Sequence, residues 1–178
     1  MSVEAILSLY AAWRAHSPAL AAFGGDSAIE LLSALVVLWS FRPGNSGHAQ
    51  RRAARIAGAL LFALAAYVAL ASARSLLGYS VPKPSLLGMA VLAAATLIMP
   101  ALAREKRRLS ALTGSAALRA DAAESALCAY LSIIALAGIA AHAIWHIAWA
   151  DPVAALAITP FIVFEAREAM RGKACGCC

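Results

Sequence analysis

The chain has 178 residues, 63% of them hydrophobic and 13% charged, with a mean hydropathy of +0.78. Soluble domains are nearer half apolar and a quarter charged, so the composition excludes a soluble enzyme or binding module and points to an all-α integral membrane protein. A net charge of +6 would suit nucleic acid, but the basic residues lie between long apolar runs, which is how a membrane protein encodes its orientation.

About 20 apolar residues span the hydrocarbon core as a helix, and six segments fit. The first covers roughly 2–16, "SVEAILSLYAAWRAH"; it is short and carries Glu4 and Arg14. An acid at this position and no basic lead-in argue against a cleavable signal peptide. The second runs from about 20 to 41, and the third from 54 to 77. The fourth covers 84–103, with Pro100 predicting a kink near its end. The fifth, 116–146, is too long for one perpendicular crossing. The sixth covers 150–169, where Asp151 before Pro152 reads as a helix cap followed by a first-turn proline.

This division sorts the charges. Arg42, Arg51, Arg52 and Arg55 follow the second segment. Arg104, Lys106, Arg107 and Arg108 follow the fourth and Arg119 stands at the start of the fifth, while Arg167, Arg171 and Lys173 close the chain. Arg14, Arg74 and Lys83 are left for the other side. The positive-inside rule then predicts a six-helix bundle (residues 1–170) with both termini cytoplasmic, plus a short tail at 171–178. A plasma membrane of bacterial inner-membrane type is the expected location. The small residues Ala59, Ala63, Ala66, Ala69 and Ala73 of the third segment allow close helix approach and a homodimer within the membrane.

Ionisable residues inside such segments are costly and mark function. Asp26 and Glu30 are spaced i, i+4 in the second segment, on one helix face with Cβ atoms about 5–6 Å apart. Two anions that close need a proton between them or a cation on both; the alternative is that Asp26 caps the helix and Glu30 pairs with an arginine. In the fifth segment Asp121, Glu124 and Cys128 form a stripe at i, i+3 and i+7. Two helices, each offering two groups one turn apart, can enclose one cation. Three carboxylates with a thiolate suit Zn²⁺ or Cd²⁺ better than Mg²⁺ or Ca²⁺. The predicted ligands are Asp26, Glu30, Glu124 and Cys128, with Asp121 on a proton path or supporting the ligands.

Secondary sites are also readable. His142 and His146 are spaced i, i+4 near the end of the fifth segment, beside Trp145 and Trp149; they read either as an exit-side metal site or as part of an interfacial aromatic belt. Cys175, Cys177 and Cys178 in the terminal "CGCC" are no disulfide framework. They read as a soft-metal trap, an acylation site or an inert end. No nucleotide-binding loop is present, so neither ATP hydrolysis nor other enzymatic chemistry is expected.

"SPALAAFGGDSAIE" (17–30), "ADAAESALC" (120–128) and "DPVAAL" (151–156) together resemble the transmembrane domain of the cation diffusion facilitators, a zinc transporter family. In that family the second helix carries D-x-x-x-D, matched here by Asp26 and Glu30. The fifth carries A-D-x-x-H-x-x-x-D, matched by Ala120 and Asp121, with Glu124 at the histidine and Cys128 at the second aspartate. The resemblance covers nearly the whole chain. It implies export of a divalent metal by alternating access with proton antiport, and it implies a homodimer. The family also has a cytoplasmic ferredoxin-like domain after its sixth helix; this sequence resembles the membrane part alone. The alternatives are a non-transporting metal-binding regulator on the same scaffold, or a carrier of another soft metal such as mercury, copper or iron.

Overall fold

The computed structural model describes residues 2–40, 47–113 and 116–171. Within these helices it leaves aside the side chains of 33, 34, 36–40, 47–54, 110, 113 and 116–121. Six helices follow one another: α1 (Ser2–Ala15), α2 (Pro18–Ser40), α3 (Gly47–Leu76), α4 (Leu86–Thr113), α5 (Ala116–Trp145) and α6 (Ala150–Met170).

The helices form because Ala and Leu dominate them, and because each break carries residues that stop a helix. α1 ends where His16 turns to φ +52°, a left-handed conformation that closes a helix C-terminus. Ser17 then starts α2, its Oγ accepting from the Leu20 N–H at 3.2 Å ahead of Pro18 in the first turn. His146, at φ +56°, ends α5 in the same way.

α2 lies at the centre, packed against α1, α3, α5 and α6, while α4 packs on α5 and α3 on α6. Leu20, Phe23, Val68, Leu92, Leu131, Ile158 and Ile162 are fully buried among these helices. Close approach of α1 to α2 depends on Gly24: a Cβ there would stand 2.9 Å from the Ser8 Cβ and 3.0 Å from the Leu9 nitrogen. At Gly58 a Cβ would come within 2.9 Å of the Ala166 carbonyl, so α3 and α6 meet backbone to backbone.

The polarity is inverted relative to a soluble protein. Asp26, Asp151 and the serines 8, 17, 27, 72, 125 and 132 are buried. Leu60, Phe62, Tyr67, Leu70, Leu97, Phe161 and Phe164 face outward. Such an exterior suits lipid, whose hydrocarbon solvates Leu and Phe without loss. Among the described residues three segments are long and apolar enough to cross a membrane unaided: Arg55–Leu76, Leu86–Leu109 and Ala122–Trp145. α1 has 14 residues, about 21 Å of helix, and α6 carries Asp151, Glu165, Arg167 and Glu168.

Several expectations change at the helix ends. The basic runs are helical, since α3 begins at Gly47 and α4 continues to Thr113. Arg, Lys, Glu, Leu and Ala are good helix formers, so nothing in "REKRRLSAL" stops the helix once it leaves the apolar zone. Pro100 and Pro160 lie inside α4 and α6 respectively. Asp151 does not cap α6, which starts at Ala150 with Trp149 before it and no side-chain cap. Its carboxylate is engaged elsewhere: the Ser17 hydroxyl donates to Oδ1 at 2.6 Å, and the Ala19 amide also donates to it. One serine therefore caps α2 and ties it to α6.

Candidate metal centre

Asp26 lies on the third turn of α2, eight residues after Pro18, so it is no helix cap. It is 1% exposed. Glu30 follows one turn later on the same face, half-buried. The third member comes from α6. One oxygen from each of Asp26, Glu30 and Glu165 lies within 4.8 Å of the others. Among the described residues, neither Asp26 oxygen, nor Glu30 Oε1, nor Glu165 Oε2 has a hydrogen-bond partner, although all four are buried.

Buried carboxylate oxygens are costly without partners. Three carboxylates sharing one small volume add mutual repulsion. A divalent cation offsets both at once by attracting the oxygens left without a donor, and a proton held between two of the carboxylates offsets part of the repulsion.

α5 adds sulfur. Cys128 is buried, and its Sγ donates to Glu30 Oε2 at 3.3 Å. Glu124, one turn earlier on α5 and half-buried, lies within electrostatic range of Asp26, Glu30 and Glu165. It is not one of the three carboxylates that converge. Beside it, Lys106 from the extended part of α4 donates to Ser125 Oγ at 2.8 Å, so a cation reaches the approach to the site along α5. Asp121 is in α5, but its side chain lies outside the described residues, as do Cys175, Cys177 and Cys178.

His142 and His146 do not share a helical face. α5 stops at Trp145, and the left-handed turn at His146 breaks the i, i+4 phase. His142 is half-buried, within electrostatic range of Asp151, while His146 is exposed. Among the described residues the group able to hold a metal ion is Asp26, Glu30 and Glu165.

Glu165 is the residue that sequence reasoning missed. Its neighbours Arg167 and Glu168 make the segment look like a polar helix end. A signal was present nonetheless: Ile158, Ile162 and Ala166 form a fully buried stripe at i, i+4 and i+8, and Glu165 falls at i+7 of it. An acid on the buried stripe of an apolar helix is the same kind of marker as Asp26 on α2.

The geometry is thus a set of acids with one thiol, enclosed by α2, α5 and α6 in a bundle with an apolar exterior. The comparison with known families agrees with a cation as cargo. No curated protein matches the chain. The model of the cation efflux transmembrane domain matches residues 1–172, which is nearly the whole sequence. By that match the chain belongs to the cation efflux family, as an integral membrane domain whose business is moving cations.

Proposed function

We propose that the protein exports a divalent transition metal, Zn²⁺ or Cd²⁺, by alternating access coupled to proton antiport. Asp26, Glu30, Glu165 and Cys128 form the transport site, and Glu124 stands at its approach. The observation that carries this reading is the convergence of three carboxylates with unpartnered buried oxygens inside an apolar bundle.

The ligand chemistry narrows the cargo. Carboxylate oxygens alone would suit Mg²⁺ or Ca²⁺, whereas a thiol beside three carboxylates shifts preference toward softer ions that take four ligands. The ligands bind metal when deprotonated. A cation arriving at the open site therefore displaces protons from Asp26, Glu30, Glu165 and Cys128. Protons arriving from the opposite side compete for the same atoms and release it. This links the proton gradient to metal movement without a nucleotide.

In this reading all six helices span the bilayer with both termini cytoplasmic. α1 and α6 then rely on packing for what they lack in length or hydrophobicity. α1 lies against α2 and α4, and α6 lies against α2, α3 and α5. A homodimer formed through the membrane helices belongs to the same proposal, with the exposed alanine positions of α3 as its contact.

The test is metal flux into proteoliposomes under an imposed pH gradient, with zinc, cadmium and manganese compared. Zinc or cadmium uptake that collapses when the gradient is dissipated is the expected result. Metal binding with no flux under any gradient would favour the regulator reading instead.

A further inference from the structure

Arg14, Arg74 and Lys83 stand apart from the basic segments of α3, α4 and the C-terminus. Two of them meet. Arg14, in the last turn of α1, and Lys83, in the loop between α3 and α4, line one cavity of about 320 Å³ together with Tyr10, Ser85 and Leu87. Among the described residues, no aspartate or glutamate lines this cavity. The position of Lys83 is fixed by its own backbone, whose N–H donates to the Ala15 carbonyl at 2.7 Å. Pro82 and Pro84 on either side restrict the chain further.

Two cations held at one cavity repel each other unless an anion stands between them. Other features favour the same sign of ligand. Ser85 caps α4, accepting from the Gly88 N–H at 3.1 Å, so the positive end of the α4 dipole faces the same region. The depth is also informative. The apolar spanning segment of α4 begins at Leu86, directly after the cavity-lining Ser85, which puts the cavity at the membrane–water boundary where lipid phosphates lie. Tyr10, Leu86 and Leu87 are exposed beside it, and they offer acyl chains an apolar surface that a free inorganic ion would not use.

We propose that this cavity binds the phosphate group of an anionic phospholipid, with Arg14 and Lys83 as its cationic contacts. The lipid would bridge the end of α1 to the loop and first turn of α4, adding to the packing of α1 on α4 and to the Lys83 backbone contact with Ala15. The site is separate from the metal centre, since Asp26 lies eight residues into α2, about 12 Å along the helix axis.

The experiment uses the full chain in mild detergent, titrated with phosphatidylglycerol, phosphatidylcholine or inorganic phosphate. Bound lipid is counted by native mass spectrometry and thermal unfolding is followed in parallel. Phosphatidylglycerol is expected to bind and raise the unfolding temperature, with phosphatidylcholine weaker and inorganic phosphate without effect. Arg14→Gln and Lys83→Gln should each weaken phosphatidylglycerol binding about fivefold, and the pair should erase the preference over phosphatidylcholine. Arg74→Gln should leave that preference intact. Equal binding of the two lipids by the wild-type chain would overturn the proposal without any variant having to fold. So would a full thermal shift from inorganic phosphate alone, or a double variant that keeps the preference.

Discussion

α2 and α5 carry the same spacing of ligand-type residues, Asp26 with Glu30 and Glu124 with Cys128, yet they enter the site differently. α2 delivers both of its acids to one point. α5 delivers Cys128 through its contact with Glu30, and Glu124 stays outside the converging carboxylates. The third carboxylate is Glu165, from α6. An i, i+4 pair guarantees a shared face of one helix. It does not say how that helix is rotated against its neighbour. α2 sits in the middle, with helices on several sides, so any residue on its inward stripe meets other inward residues. α5 is packed chiefly on α4, and only part of its stripe faces α2.

That contrast can be broken by experiment, and the largest effect is expected on α2. Asp26→Ala should reduce zinc flux in proteoliposomes to the level of empty vesicles, while size-exclusion elution stays that of the folded protein. Flux at the wild-type rate would remove α2 from the site. Next come Glu165→Gln and Glu124→Gln, which set α6 against α5. Losing one charge-assisted contact is worth about 1.5–3 kcal/mol, so Glu165→Gln should weaken zinc binding by about tenfold or more in calorimetric titration. Glu124→Gln should weaken it less, and the reverse ranking would return the third carboxylate to α5.

A smaller change is expected from Cys128→Asp. Replacing sulfur with oxygen should lower the preference for Cd²⁺ over Mn²⁺ several-fold while zinc binding persists. Unchanged relative affinities would make Cys128 a packing residue. The smallest effect should follow deletion of Cys175 to Cys178. Zinc affinity at the transport site should be unaltered, and the metal concentration for half-maximal flux should rise about twofold if the thiols hold ions near the mouth. An unaltered concentration dependence, with the thiols kept reduced, would give the tail no part in metal delivery.

The second contrast is between the two halves of α6. Its first residues look like a capped helix start, with Asp151 and Pro152, and its last look like a polar end. The structure reverses both impressions. Asp151 accepts from Ser17 and joins α6 to α2. Glu165 turns inward to the carboxylate cluster. Both acids sit on the face that also carries Ile158 and Ile162, so the buried stripe of α6 is polar at each end and apolar between.

The sequence by itself determined the six helices, because Ala- and Leu-rich runs favour helix and, where such a run meets lipid, a helix satisfies its backbone hydrogen bonds. It also pointed to Asp26 and Glu30, because an acid pair one turn apart in such a run is costly unless something offsets it, and to Cys128, whose Sγ the structure brings to Glu30 Oε2. It did not determine that the basic runs stay helical, since charge marks where a helix leaves the membrane and not where it stops. Nor did it determine the fate of His142 and His146, whose shared face depended on one residue, His146, continuing the helix instead of turning left-handed. Glu165 was decided by tertiary structure alone. Periodicity fixes which residues of α6 lie on one stripe. Which neighbour that stripe meets depends on helix rotation and on close approaches such as Gly58 against the Ala166 carbonyl, and these are properties of the packed bundle that no single helix encodes.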